Sequence, residues 1–271
     1  MTDIASAPFV HELCLTAENM YRQGWDERNG GNISMLLTEA EAASCGKLPV
    51  LRTLPLSFCA KALGGKLLLV TGTGKYFKNV LRAPEENLGL LRITPDGNAA
   101  ELLWGYCTGG SFTSEMPTHL MVHIERLRQD AAHRVVTHCH PTHLLAMNHV
   151  FPLDEAALTH TLWQMYTESI MVFPDGIGVL PWMCCGTNAI GEATAEKMRA
   201  FRLVVWALHG IYAAGRSPDE TYGLIETVEK AAEIYLLTAQ HTRLNTITDA
   251  QLTELAEYLH LDFRRDFLTD R

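Results

Sequence analysis

Thr137-His138-Cys139-His140 places two imidazoles two residues apart, directly after the β-prone run Arg134-Val135-Val136. Alternate side chains of a strand face opposite sides, so His138 and His140 share one face and Cys139 takes the other. Two converging imidazoles are half of a tetrahedral metal site, although the same pattern alone also suits two separate polar histidines near a strand end. Cys139 is expected to be buried as a small apolar side chain rather than to ligate. A third histidine, His209, closes the apolar run Val204 to Leu208, and Gly210 after it permits a close backbone approach. Three histidines from the ends of two strands can share one ion and leave a position open, which is the catalytic rather than the structural pattern. By itself, His209 fits a capped surface histidine equally well.

Glu115 lies in Thr113-Ser114-Glu115-Met116-Pro117, where a helix begins. Ser and Glu there commonly cap orphan amides. They also suit a carboxylate at a helix N-terminus with hydroxyls and amides aimed at an anion. Two glycine-rich turns, Asn29-Gly30-Gly31-Asn32 and Thr71-Gly72-Thr73-Gly74-Lys75, offer backbone N–H groups in a form that suits phosphate. Neither has P-loop or dinucleotide-binding spacing. Lys75 either adds positive potential or is simply solvated.

These groups need a scaffold. The chain has 271 residues, 47% of them hydrophobic, enough for a large core, and it reads as one α/β domain over residues 1–271. A net charge of −9 without a basic cluster argues against nucleic acid as a partner. Its apolar runs are too short to span a bilayer, and its first residues lack a signal-peptide pattern, so a cytoplasmic location is expected. Seven cysteines without paired C-x-x-C units fit reduced thiols there.

Spacing predicts helices over Val10 to Arg22, Pro117 to Arg128, Pro141 to Val150 and Ala189 to Ala200, a long one after the cap at Ser217 to about Gln240, and a last one after Thr248. Strands are predicted at Ile33 to Leu37, Lys66 to Val70, Leu88 to Thr94, Ala100 to Trp104, Arg134 to His140, Ser169 to Phe173 and Leu203 to Leu208. Pro95-Asp96-Gly97-Asn98 closes a hairpin, and Ala40 to Ala62 reads as an irregular insertion. Hairpins between helices imply a mixed, mostly antiparallel central sheet flanked by helices.

In this order, Asn29 to Asn32, Thr71 to Gly74, Thr113 to Glu115, His138 to His140 and His209-Gly210 resemble the zinc-dependent class II aldolase/adducin family and its three-layer fold. Gly24 to Asn32 and Val172 to Met183 are similar to the branch that cleaves L-rhamnulose 1-phosphate. The resemblance runs over roughly residues 8–240. It implies reversible aldol cleavage to dihydroxyacetone phosphate and L-lactaldehyde, in rhamnose catabolism. It further implies one Zn2+ per subunit held by His138, His140 and His209, and Glu115 as the catalytic carboxylate. Asn29, Gly31, Asn32, Thr73, Thr113 and Ser114 are implied around the phosphate. A homotetramer is implied, with active sites at subunit interfaces and Glu168 offered to the neighbour's site. Thr73 stands where the family pattern has serine, which preserves the hydroxyl, and Ala40 to Ala62 aligns poorly.

Such a reaction leaves negative charge on an enediolate, which a Lewis acid on neutral histidines stabilises. Rival readings are another reaction on this scaffold (fuculose-phosphate cleavage, pentulose-phosphate epimerisation or dehydration), a non-catalytic head like that of adducin, and a three-histidine zinc hydrolase. The retained histidines and Glu115 argue against the second, and the phosphate turns against the third.

Overall fold

The computed structural model describes residues 3–269. Its strands are β1 (Asn32–Leu36), β2 (Arg52–Pro55), β3 (Leu67–Thr71), β4 (Leu88–Ile93), β5 (Ala99–Gly105), β6 (Val135–Cys139), β7 (Ile177–Leu180), β8 (Leu203–Trp206) and β9 (Gly210–Gly215). They form one nine-stranded sheet in the order β2-β5-β4-β3-β1-β6-β9-β8-β7. Its pairs are antiparallel except β7 with β8. This is the mixed, mostly antiparallel sheet expected from hairpins lying between helices.

The helices are α1 (Pro8–Arg22), α2 (Glu39–Ser44), α3 (Phe77–Val80), α4 (Pro84–Asn87), α5 (Met116–Gln129), α6 (Thr142–Val150), α7 (Glu155–Trp163), α8 (Glu168–Val172), α9 (Asn188–Lys197), α10 (Pro218–Thr238) and α11 (Asp249–Tyr258). Strand alternation sorts the core into two layers. Ile33, Met35, Val135, Cys139, Ile211 and Ala213 face one way, onto Leu13 of α1 and Leu224 and Val228 of α10. Val136, Val204, Trp206 and Tyr212 face the other way, onto Val122 of α5 and Ile190 of α9. Leu68, Val70 and Leu91 meet Leu120 of α5 on that second side. His138, two residues from Val136, is therefore delivered to the α5 face.

The predicted helix starts hold. Pro218 sits in the first turn of α10, and the Ser217 hydroxyl accepts from the Glu220 amide at 3.1 Å. Thr248 and Gln251 form a reciprocal capping box on α11. Each such cap contributes about 1 kcal/mol.

The structure differs from the sequence-based expectation in four places. Ser169 to Phe173 is not a strand: Glu168–Val172 is a short helix, with the Phe173 amide bonded to the Ser169 carbonyl at 3.1 Å. Ser169 and Ile170 are buried there, so packing overrides the β-branched residues. The segment Ala40 to Ala62 is not wholly irregular. Thr38 and Glu41 make a capping box that starts α2, and β2 is an exposed edge strand whose solvent-facing residues hide any alternation. Helices α3, α4 and α7 and strands β7 and β9 add to the predicted elements. Strand β9 reads Gly-Ile-Tyr-Ala-Ala-Gly, a small-residue run that looks like a loop yet is buried along its whole length. Finally, β8 ends at Trp206, so His209 sits in the turn to β9 rather than on the strand.

Candidate active site

Five polar segments meet where β1 and α5 begin, β3 and β6 end, and the turn leads into β9. Asn29, Gly31, Asn32, Thr73, Thr113, Ser114, Glu115, His138, His140 and His209 all line one open cleft of about 170 Å³. Glycine is required where backbones crowd beneath it. Gly31 has φ +72°, and a Cβ there would run into Asp26 Oδ1 and lie 2.9 Å from the His138 carbonyl. A Cβ on Gly210 would run into the Cys139 carbonyl and lie 2.9 Å from His138 Cε1.

The ligand nitrogens of His138, His140 and His209 lie within 4.8 Å of one another. Each histidine is aimed differently. His138 is buried, its ring stacked on Tyr212 at 4.4 Å between centroids, and its Nδ1–H donates to the Ile211 carbonyl at 3.0 Å. His140 lies just past β6, and its Nδ1–H donates to the Glu27 carboxylate at 3.0 and 3.1 Å. His209 is turned inward by Leu208, whose φ of +59° is left-handed, and by its own amide bonding the Trp206 carbonyl at 3.0 Å. Non-glycine residues in that region are sparse and cluster at functional sites.

The Nδ1 hydrogen bonds leave the Nε2 lone pairs of His138 and His140 facing each other at 3.3 Å. Two such lone pairs repel unless a cation lies between them. Tetrahedral zinc–imidazole bonds of about 2.0–2.1 Å place neighbouring nitrogens about 3.3 Å apart, so the donor set fits a metal ion. Burial holds the His138 pKa well below the usual imidazole value, with His140 and His209 adding to the effect. Burial also lowers His209, against the opposing pull of Glu115. Neutral imidazoles are the ligating form. Burial raises the Cys139 thiol well above its ordinary value and the side chain lies in the opposite core layer, which matches the role expected from strand alternation.

Glu27 was outside the sequence-derived site, and its hydrogen bond to His140 is its signal. A carboxylate on the outer nitrogen of a ligating histidine fixes the ring and raises its basicity. Glu27→Ala is expected to weaken metal affinity by about 10–100-fold. Its side chain is 68% exposed, so the fold should stay intact. Metal titration of the stripped protein checks this, and unchanged affinity would remove the role.

Glu115 precedes α5 and is 6% exposed. Its Oε1 is 3.9 Å from His209 Nε2 and its Oε2 3.6 Å from His138 Nε2. Tyr212 Oη donates to Oε2 at 2.6 Å, and Asn32 Nδ2 donates to the same atom at 2.9 Å. Behind Asn32 lie His119 and His123, which follow Glu115 at four-residue intervals and so share its stripe of α5. That spacing is legible in the sequence, whereas Tyr212 is visible only through the pairing of β9 with β6. The Cys185 thiol also comes within 4.8 Å of ligand atoms of Glu115 and His209.

Burial pushes His119 down to about 4 and His123 well below the ordinary imidazole value. An unfolded chain protonates both below about pH 6.5, whereas the folded one resists until much lower pH. Stability is therefore present above about pH 6.5 and falls as pH drops towards the folded values, for His119 by roughly 1.4 kcal/mol per unit. The urea midpoint should be lower at about pH 5.5 than at about pH 7.5. Equal midpoints would show that these imidazoles titrate normally.

The turns contribute fewer amides than their glycines promise. The N–H groups of Gly30, Gly72, Thr73 and Thr113 already bond backbone carbonyls. The Thr73 and Ser114 side chains are exposed in the cleft. Lys75 lies outside the cleft lining and donates to Thr108 Oγ1 at 3.0 Å. Glu168 is exposed at the start of α8 and does not line this cleft.

Residues 11–236 match the family described as class II aldolase and adducin N-terminal domain. The chain belongs to that family. Within it, a rhamnulose-1-phosphate aldolase of Listeria monocytogenes serovar 1/2a is 53% identical over 270 residues, covering 99% of each chain. One from Enterococcus faecalis is 54% identical over 257 residues, covering 94% of this chain and 92% of its own. A sugar-phosphate aldolase of Thermotoga maritima superposes with a TM-score of 0.76 at 30% identity, over 88% of this chain and 97% of that one. The family places the site among the aldol lyases, and among the described residues no helix is long and apolar enough to cross a membrane.

Proposed function

We propose that this chain catalyses the reversible, zinc-dependent cleavage of L-rhamnulose 1-phosphate into dihydroxyacetone phosphate and L-lactaldehyde. The observation that carries it is the convergence of three aimed imidazoles and one carboxylate in a chain 53% identical, over nearly its whole length, to a rhamnulose-1-phosphate aldolase. His138, His140 and His209 would hold the ion. Lewis-acid stabilisation of the charge left by carbon–carbon cleavage is the chemistry zinc supplies there.

The protein's own groups do the rest. The Thr73 and Ser114 hydroxyls, with the loop amides of Asn29, Gly31 and Asn32 and the Thr113 segment, receive the phosphate. Binding that remote group positions the third and fourth carbons for reaction. Cleavage removes a proton from the hydroxyl on the fourth carbon, breaks the bond to the third and returns a proton to the third carbon. Glu115 carries that last proton, because its Oε1 faces the cleft beside His209. In the synthetic direction the same oxygen removes it.

The active unit in this proposal is a cytoplasmic homotetramer of one-domain chains. The exposed Glu168, outside its own cleft, reaches the neighbouring subunit's site and steers the aldehyde.

Purified protein assayed on both L-rhamnulose 1-phosphate and L-fuculose 1-phosphate tests the substrate. Faster release of dihydroxyacetone phosphate from the rhamnulose ester is expected. Preference for the fuculose ester, or turnover of neither, would overturn the assignment.

A further inference from the structure

Glu115 ends a buried chain of hydrogen bonds whose direction can be read atom by atom. Asn32 Nδ2 donates to Glu115 Oε2 at 2.9 Å, so the Asn32 Oδ1 must accept, and it meets His119 Nε2. His119 is neutral, so a proton on Nε2 leaves Nδ1 bare. Ser34 Oγ, 2.7 Å away, therefore donates its single hydrogen to that nitrogen. Ser34 must then accept from His123 Nε2 at 2.8 Å. His123 keeps a bare Nδ1, and that atom is buried without a hydrogen-bond partner among the described residues. Every donor thus points from the core towards Glu115. Tyr212 adds another donor to the same carboxylate oxygen from the opposite side, at 2.6 Å.

We propose that Tyr212 and the one-way relay His123–Ser34–His119–Asn32 are positioning residues. Together they saturate Glu115 Oε2 and hold Oε1 towards the cleft as the working oxygen. A carboxylate held by two donors on one oxygen cannot rotate without breaking both bonds, and aligned hydrogen bonds polarise one another. The relay also gives the unsatisfied His123 Nδ1 a rationale. A proton on that nitrogen instead would leave Nε2 bare, make Ser34 donate to it and reverse the direction of the chain. Asn32, whose amide is occupied at both ends, then serves Glu115 through its side chain and the turn through its backbone.

This inference rests on Glu115 being the proton carrier of the proposed reaction. Tyr212→Phe removes one hydroxyl and keeps the ring stacked on His138. It should lower kcat about tenfold or more, with KM changed by less than about twofold and metal content unchanged. Exchange of the third-carbon hydrogen of dihydroxyacetone phosphate with deuterated solvent should slow by a similar factor. Ser34→Ala breaks the relay two bonds behind Asn32 and should lower kcat roughly threefold, again without moving KM. In a Glu115→Gln background, Tyr212→Phe should have little further effect, because the basic oxygen that Tyr212 positions is gone. Wild-type kcat in both Tyr212→Phe and Ser34→Ala, or a full additional loss on the Glu115→Gln background, would overturn the proposal. Inactivity of the unaltered protein, or full activity of Glu115→Gln, would instead overturn the underlying reaction assignment.

Discussion

His209→Ala should leave a folded protein that no longer retains stoichiometric metal and cleaves substrate at least about a thousandfold more slowly. The imidazole is partly exposed and sits in a turn, so its loss should not open the core. His138 is a less clean target, because it is buried, stacked on Tyr212, packed against Trp206 and bonded to the Ile211 carbonyl. Removing it would unsettle the sheet as well as the site. Two imidazoles with facing lone pairs remain when His209 is lost, and two ligands bind a divalent ion far more weakly than three. Metal analysis after gel filtration, circular dichroism and a coupled assay for dihydroxyacetone phosphate check the expectation together. A His209→Ala protein that keeps its metal and its rate would remove His209 from the centre.

Glu115→Gln should retain the metal and the fold but lose about 10²–10⁴-fold in turnover. The substitution is nearly isosteric. The amide oxygen can still accept from Tyr212 and Asn32, which directs the NH2 group to the place of Oε1, where it faces His209. A non-basic group then stands where the proton has to be received. KM should change little, since the phosphate turns and the histidines are untouched. Metal-loaded Glu115→Gln protein with near-normal kcat would assign the proton transfer to another group.

Much of this site is legible in the sequence. His138 and His140 share a face because strands have a period of two, and Val135-Val136 announces the strand. Glu115 and the hydroxyls before it are marked by the proline that starts α5. Other parts were hidden for physical reasons. The turn that carries His209 depends on a left-handed Leu208, which no local pattern announces. Strand β9 sets Ile211 and Tyr212 among glycines and alanines, so neither alternation nor a run of β-formers marks it, and Tyr212 beneath Glu115 is hidden in the sequence. Helix α8 reads as a strand in sequence because Ile170-Met171-Val172 favours β locally, while burial of Ser169 and Ile170 decides otherwise. Glu27 lies in the charged run Asp26-Glu27-Arg28, which residue types alone do not distinguish from a surface cluster, and its hydrogen bond to His140 gives it a role at the site. The His119 and His123 stripe could have been read, since both repeat the spacing of Glu115 at helical intervals.

Release of dihydroxyacetone phosphate from L-rhamnulose 1-phosphate should be measured alongside metal content, before chelation, after it and after zinc is restored. The purified protein should carry about one zinc per chain, lose nearly all activity with the ion and recover it with zinc. Undiminished cleavage by fully stripped protein would contradict a metal-centred aldol reaction at His138, His140 and His209.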